Sequence, residues 1–119
     1  MKNNSTGVAR VIAAFGFSVK GLKTAYRNEA AFRQEVYLAL ILVPAAFFVG
    51  NTALEKALLI VSIMLVLIVE LLNTAVENVV DRFGAEYHEL SGAAKDTGSA
   101  AVLVALLLVV VVWTGVILT

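Results

Sequence analysis

Three stretches of this chain are too apolar to be left in water and too long to be strands. Residues 36–49 are apolar throughout, 53–69 nearly so, and 99–118 are apolar for about 20 residues. A hydrocarbon layer ~30 Å thick takes about 20 helical residues to cross. The first run therefore has to begin near Ala30, and the second has to reach Leu72. With 61% of its 119 residues hydrophobic and 15% charged, and a mean hydropathy of +0.92, the chain lies outside the range of ordinary soluble domains. The fold expected is an all-α membrane protein in a single domain. It has an N-terminal amphipathic interfacial helix over 8–27 and transmembrane helices over 30–49, 53–72 and 98–118. The second of these carries a cytoplasmic extension to residue 83.

The N-terminal segment is predicted to lie on the membrane rather than in it. Val8, Ile12, Phe15, Val19, Leu22 and Tyr26 recur at helical spacing, with Lys20, Lys23 and Arg27 along one flank. That arrangement suits an interfacial helix with its cations towards lipid phosphates; a soluble helix packed on a core is the plainer alternative. Asn4, Ser5 or Thr6 is placed to cap it. No compact apolar stretch with a small-residue cleavage site follows the basic N-terminus, so a secretory signal is not expected. Gly16-x-x-x-x-Gly21-Leu22-Lys23-Thr24 comes within one residue of a phosphate-binding loop, but the lysine is displaced and no strand precedes it.

Orientation follows from the loops. Lys2, Arg10, Lys20, Lys23 and Arg27 precede the first acid, and Arg82 and Lys95 mark the second connector, whereas the Gly50-Asn51-Thr52 turn is followed by Lys56 alone. The bias places the N-terminus in the cytoplasm and the C-terminus outside. Residues 85–98 read as a polar connector. Pro44 falls inside the first span, where a kink is tolerated. Thr97, Ala101 and Ala105 form a small-residue ridge suited to close helix packing, and Trp113 is expected as an anchor at the far interface.

The second run ends in an acidic helix face. Glu70, Asn73, Glu77 and Asp81 share one side of a helix. A carboxylate in the apolar zone costs about 2.5–3.5 kcal/mol on insertion scales, so Glu70, at the apolar boundary, needs a partner or a task. It is the candidate general base. Glu77 lies about 10 Å further out by helix rise and is the candidate ligand for a hard cation, with Glu29 at the opposite helix mouth as a second. Without cysteine no disulfide or thiolate site is available, and an oxygen donor set favours magnesium or manganese. Lys95, Arg10 and the N-terminal lysines are placed to neutralise phosphate.

Plainer readings stand beside these. Glu29 and Arg33 are spaced as an i, i+4 ion pair, Asp81 as a local cap or pair, His88 as a solvated loop residue, and Tyr26 and Tyr87 as interface anchors. A proton or ion conduit titrating at Glu70 would need polar groups along a span. Beyond Glu55 and Lys56 at the far interface, residues 54–69 offer only Ser62, and 99–112 no ionisable group. Chemistry at one face fits better than passage, and an assembly scaffold remains a third reading.

ELLNTAVENVVD at 70–81 resembles the E-x-[LIVM]-N-[ST]-[SA]-[LIV]-E-x-x-[LIV]-D pattern of the small prokaryotic diacylglycerol kinases. NEAAFRQE at 28–35, DRFGAEYHELSG at 81–92 and AKDTGSAAV at 94–102 resemble further family segments in the same order. The resemblance implies a homotrimer of three-span subunits, without nucleic acid as a partner, that phosphorylates diacylglycerol with MgATP to give phosphatidic acid and ADP. It implies Glu70 as the base, Glu29 and Glu77 as Mg2+ ligands, and Arg10, Glu86, Tyr87, His88, Lys95 and Asp96 around the nucleotide. Asn73 and Asp81 would support the site, and Arg10, Lys23, Arg33, Glu35 and Ser99 would lie towards the lipid. Phe17 stands where relatives can carry a nucleotide-contacting tyrosine. An undecaprenol kinase of the same superfamily is the nearest alternative.

Overall fold

The computed structural model describes residues 6–84 and 88–119. Among them the chain forms four helices: α1 (Gly7–Asn28), α2 (Ala30–Val49), α3 (Ala53–Arg82) and α4 (Glu89–Ile117). Thr6 is the N-cap residue of α1 but makes no side-chain cap bond; Asn4 and Ser5 lie outside the described residues. Helix α1 runs unbroken through Gly16 and Gly21, which leaves no loop there to cradle a phosphate.

The four helices form a slab measuring 49 × 42 × 22 Å, about two helix diameters thick. Its radius of gyration is 17.4 Å, against roughly 13.5 Å for a compact soluble chain of this length. A slab so thin cannot enclose its apolar side chains, and Phe48, Leu54, Leu103, Val104 and Val111 point outwards. Helices α2, α3 and α4 are each long and apolar enough to cross a membrane. Helix α4 buries almost none of its apolar stretch within the chain.

Each junction is held by identifiable bonds. Glu29 is at once the last cap of α1 and the first of α2, in extended backbone; its N–H donates to Ala25 O and its carbonyl accepts from Arg33 N. The three-residue break between α2 and α3 is fixed by a variant of the capping box: Thr52 Oγ1 accepts from Glu55 N at 3.1 Å, and Glu55 Oε1 reaches back one residue beyond the cap to accept from Asn51 N at 2.8 Å. Gly50 is required there because a Cβ would meet the Lys56 backbone N at 2.9 Å. Helix α3 closes at Phe83, with Gly84 at φ +98°, a conformation that favours glycine.

Two expectations change. The polar composition of 85–98 predicts a connector and a third span starting at residue 98; instead the helix starts at Glu89, and its first polar turns precede the apolar part. His88 caps it, Nδ1 accepting from Leu90 N at 3.0 Å. Trp113 is not a free interface anchor. It packs with Val49, Ile60 and Val112 on the buried cluster of Ala46, Leu59 and Val116, and its Nε1 donates to Ser62 Oγ at 3.2 Å. Ser62, the one polar residue of its stretch, in turn donates to Leu59 O. The most extensive packing joins α3 to α4, with Ala105 buried in it.

Candidate functional site at the polar ends of the helices

Helix α3 continues past its apolar stretch for more than two turns, carrying a row of polar side chains against α2 on one side and α4 on the other. Glu70 is only 5% exposed and Asn73 8%. Glu77 is half-buried and Asp81 exposed. The carboxylates are therefore graded by depth: burial falls as the helix leaves the apolar layer.

Glu70 faces α2. It neighbours Glu35, whose Oε1 is buried without a hydrogen-bond partner. Next to this contact an apolar groove of about 720 Å³ opens between α1, α2 and α3, lined by Leu22, Phe32, Val36 and Leu67 with Lys23 and Arg27 at its edge. Val36 and Leu67, neighbours in sequence of Glu35 and Glu70, line this groove, while the two acids themselves do not.

Asn73 faces α4. A Cβ on Gly98 would collide with Asn73 Oδ1, and that oxygen is buried without a donor. The absent side chain at 98 thus sets how closely α4 approaches the acidic face. Further out, Lys95 Nζ lies 2.7 Å from Asp81 Oδ1, which joins the last turn of α3 to the second of α4. Asp81 raises the Lys95 ammonium above its ordinary value by hydrogen bond and charge.

Arg33 does not pair with Glu29. Its Nη1 donates to Tyr26 O at 2.7 Å and Arg27 O at 2.9 Å, which satisfies two of the carbonyls left open at the C-terminus of α1. Tyr26 and Tyr37 join α1 to α2 again through their hydroxyls and an edge-on ring contact. Arg33 and this tyrosine pair hold the elbow at which Glu29 sits half-buried.

Of the remaining expected residues, those described lie on α1 and α4. Arg10 is exposed on α1. Phe17 lines a second groove, about 670 Å³, shared with Lys20, Thr24, Leu71, Thr74 and Asn78; Thr74 Oγ1 is buried there without a partner. Asp96 and Ser99 are exposed on α4. Glu86 and Tyr87 lie outside the described residues.

The donor set suits a hard cation. There is no cysteine, and Nδ1 of the single histidine is committed to a cap. Among the described residues no three acidic or histidine side chains converge into a cage. One or two carboxylates completed by phosphate and water oxygens is the way magnesium is held beside a nucleotide, and Glu29 and Glu77 fit that pattern.

Residues 16–117 match the family model described as prokaryotic diacylglycerol kinase. The chain is 57% identical over 113 residues to the diacylglycerol kinase of Escherichia coli K12, covering 95% of this chain and 93% of that one. It is 54% identical to the diacylglycerol kinase of Haemophilus influenzae, covering 94% and 95% respectively. For that of Pseudomonas aeruginosa the identity is 49%, covering 95% and 92%. A three-span helical slab with its acidic side chains gathered at one end, matched over nearly its whole length, belongs to the prokaryotic diacylglycerol kinase family.

Proposed function

We propose that this protein is a bacterial membrane lipid kinase that transfers the γ-phosphate of MgATP to the free hydroxyl of diacylglycerol, yielding phosphatidic acid and ADP. The observation that carries the reading is Glu70: a buried carboxyl at the boundary of an apolar span, in a chain of this family. The acceptor is oily and the donor water-soluble, so the reaction belongs at the membrane interface.

Phosphoryl transfer depends on positioning and charge neutralisation more than on covalent chemistry. Glu70 accepts the proton of the lipid hydroxyl as that oxygen attacks. Lys95 neutralises phosphate, and Asp81 holds it in place. Glu29 and Glu77 would hold Mg2+, which when bound neutralises charge on the phosphate oxygens. Arg10, Glu86, Tyr87, His88 and Asp96 surround the nucleotide, with Phe17 lacking the hydroxyl of a tyrosine. Arg33 acts indirectly, by fixing the α1–α2 elbow that carries Glu29, while Lys23, Glu35 and Ser99 are nearer the acceptor. The loop charges favour a cytoplasmic site, with the N-terminus inside and the C-terminus in the periplasm. A homotrimer is the assembly that membership of this family implies.

The deciding experiment supplies purified protein in lipid with γ-labelled ATP and either diacylglycerol or undecaprenol. Labelled phosphatidic acid is expected. Labelled undecaprenyl phosphate moves the protein to the polyprenol branch. Labelled product from neither lipid favours a conduit or scaffold, which a liposome proton-flux assay then separates.

A further inference from the structure

We infer that the hydroxyl pair of Tyr26 and Tyr37 selects an ester-linked acceptor: Tyr26 donates to an ester carbonyl of the lipid in the groove between α1, α2 and α3, and Tyr37 is the positioning residue that donates to Tyr26. The inference rests on the kinase reading and deepens it, because it names the chemical feature of the acceptor that the protein reads.

The geometry of the pair carries it. The two hydroxyls are hydrogen-bonded to one another, and the rings meet edge-on at 86° with centroids 6.1 Å apart. The Tyr26 phenol is thereby fixed in direction as well as in place. Tyr26 lines the groove of about 720 Å³, and among the described lining side chains it is the one uncharged hydrogen-bonding group. Two phenols bonded to each other use one of their two protons, so one O–H remains to donate outside the pair. Both side chains are exposed, which leaves that proton within reach of a ligand. The charged donors of the groove are placed differently. Arg33 is committed to the Tyr26 and Arg27 carbonyls, while Lys23 and Arg27 stand exposed at the edge.

The chemistry of the acceptor brings its carbonyl beside this hydroxyl. In a diacylglycerol each ester carbonyl joins an alkyl chain to the glycerol that carries the reacting hydroxyl. In the groove, Leu22, Phe32, Val36 and Leu67 form an apolar wall, and Leu67 lies one turn before Glu70 on α3. Tyr26 follows Leu22 by one turn of α1 and adjoins Arg27 in sequence, so it stands where the wall gives way to the charged edge. An alkyl chain laid on the wall presents its carbonyl at that boundary, the interfacial depth that tyrosine favours. With lipid bound the bonds run in one direction, from Tyr37 O–H to Tyr26 and from Tyr26 O–H to the carbonyl, and each strengthens the next. An ether-linked glycerolipid fits the same wall and offers no carbonyl.

The test uses the full-length protein reconstituted in lipid, with a diacylglycerol and the dialkylglycerol of matching chains compared as acceptors. The unaltered protein is expected to show kcat/KM for the ester about three- to tenfold above that for the ether, the range of one neutral hydrogen bond. In Tyr26→Phe, which keeps the edge-on rings, that ratio is expected to fall to about one, through a raised KM for the ester. In Tyr37→Phe the ratio is expected to lie between the two. A pair that only fastened α1 to α2 would lower both acceptors alike and keep the ratio in Tyr26→Phe. That result, or a ratio of about one in the unaltered protein, overturns the proposal. Infrared spectroscopy of bound diacylglycerol with isotope-labelled ester carbonyls reads the contact without turnover. The carbonyl band is expected at lower frequency with the unaltered protein than with Tyr26→Phe, and the same band in both also overturns the proposal. If the unaltered protein phosphorylates neither lipid while the band shifts as expected, the kinase reading fails and the carbonyl contact stands.

Discussion

Lys95 Nζ meets Asp81 Oδ1 at 2.7 Å, joining the end of α3 to the start of α4 through side chains that are 45% and 63% exposed. An ion pair so open to water adds little to stability; its value is in aiming an ammonium group. Asp81→Asn is expected to leave thermal unfolding almost unchanged while KM for ATP rises severalfold. Because Asp81 holds Lys95 above its ordinary value, the ammonium persists as pH rises until that raised value is passed. In Asp81→Asn the alkaline loss of ATP affinity therefore begins at lower pH. An identical pH dependence in the variant contradicts this.

Arg33 fixes the elbow that carries Glu29 by donating to Tyr26 O and Arg27 O. Charge alone does not reproduce that fork, because the lysine ammonium is a compact point charge. Arg33→Lys and Arg33→Gln are both expected to need more magnesium for half-maximal activity, as is Glu77→Gln. A magnesium titration separates this from a lipid-binding role, which would raise KM for the lipid and leave the magnesium midpoint in place.

Gly98 presses against Asn73. A helix-interior glycine changed to alanine ordinarily gains about 0.5–1 kcal/mol from propensity, whereas overpacking costs about 1–3 kcal/mol. Since Asn73 is buried and has little room to yield, the second effect is expected to win. Gly98→Ala should lower stability to denaturant, and Asn73→Ala should recover part of the loss in the double variant. Strict additivity of the two changes contradicts a direct contact.

The Trp113–Ser62 bond lies among apolar side chains, but Ser62 keeps its bond to Leu59 O whether or not the indole is present. Trp113→Phe is therefore expected to cost only about 1 kcal/mol, and Trp113→Ala about 3–5 kcal/mol from the cavity. Unfolding in detergent mixtures measures both; equal losses contradict packing as the main contribution.

What could be read from the residues follows the range of the forces involved. Three spans show plainly because 20-residue apolar runs admit few other structures, and Glu70 stands out because a carboxylate at an apolar boundary is costly. The early start of α4 is hidden by Ser91, Gly92 and Gly98, which read as loop composition, and by a histidine serving as cap. Arg33 has an attractive partner four residues back in Glu29, so spacing favours an ion pair. Only the bend at Glu29 brings the α1 carbonyls within its reach. Asp81 and Lys95 are 14 residues apart, and Glu35 and Glu70 lie on different helices. Neither meeting is visible until α3 is packed against its neighbours.

The most direct test of the central claim is the turnover of Glu70→Gln with MgATP and diacylglycerol, alongside a nucleotide-binding measurement on the same sample. The variant is expected to remain folded and to bind nucleotide as the unaltered protein does, with phosphatidic acid formation nearly abolished. Phosphatidic acid formed at the unaltered rate would remove Glu70 from the chemistry and contradict the account.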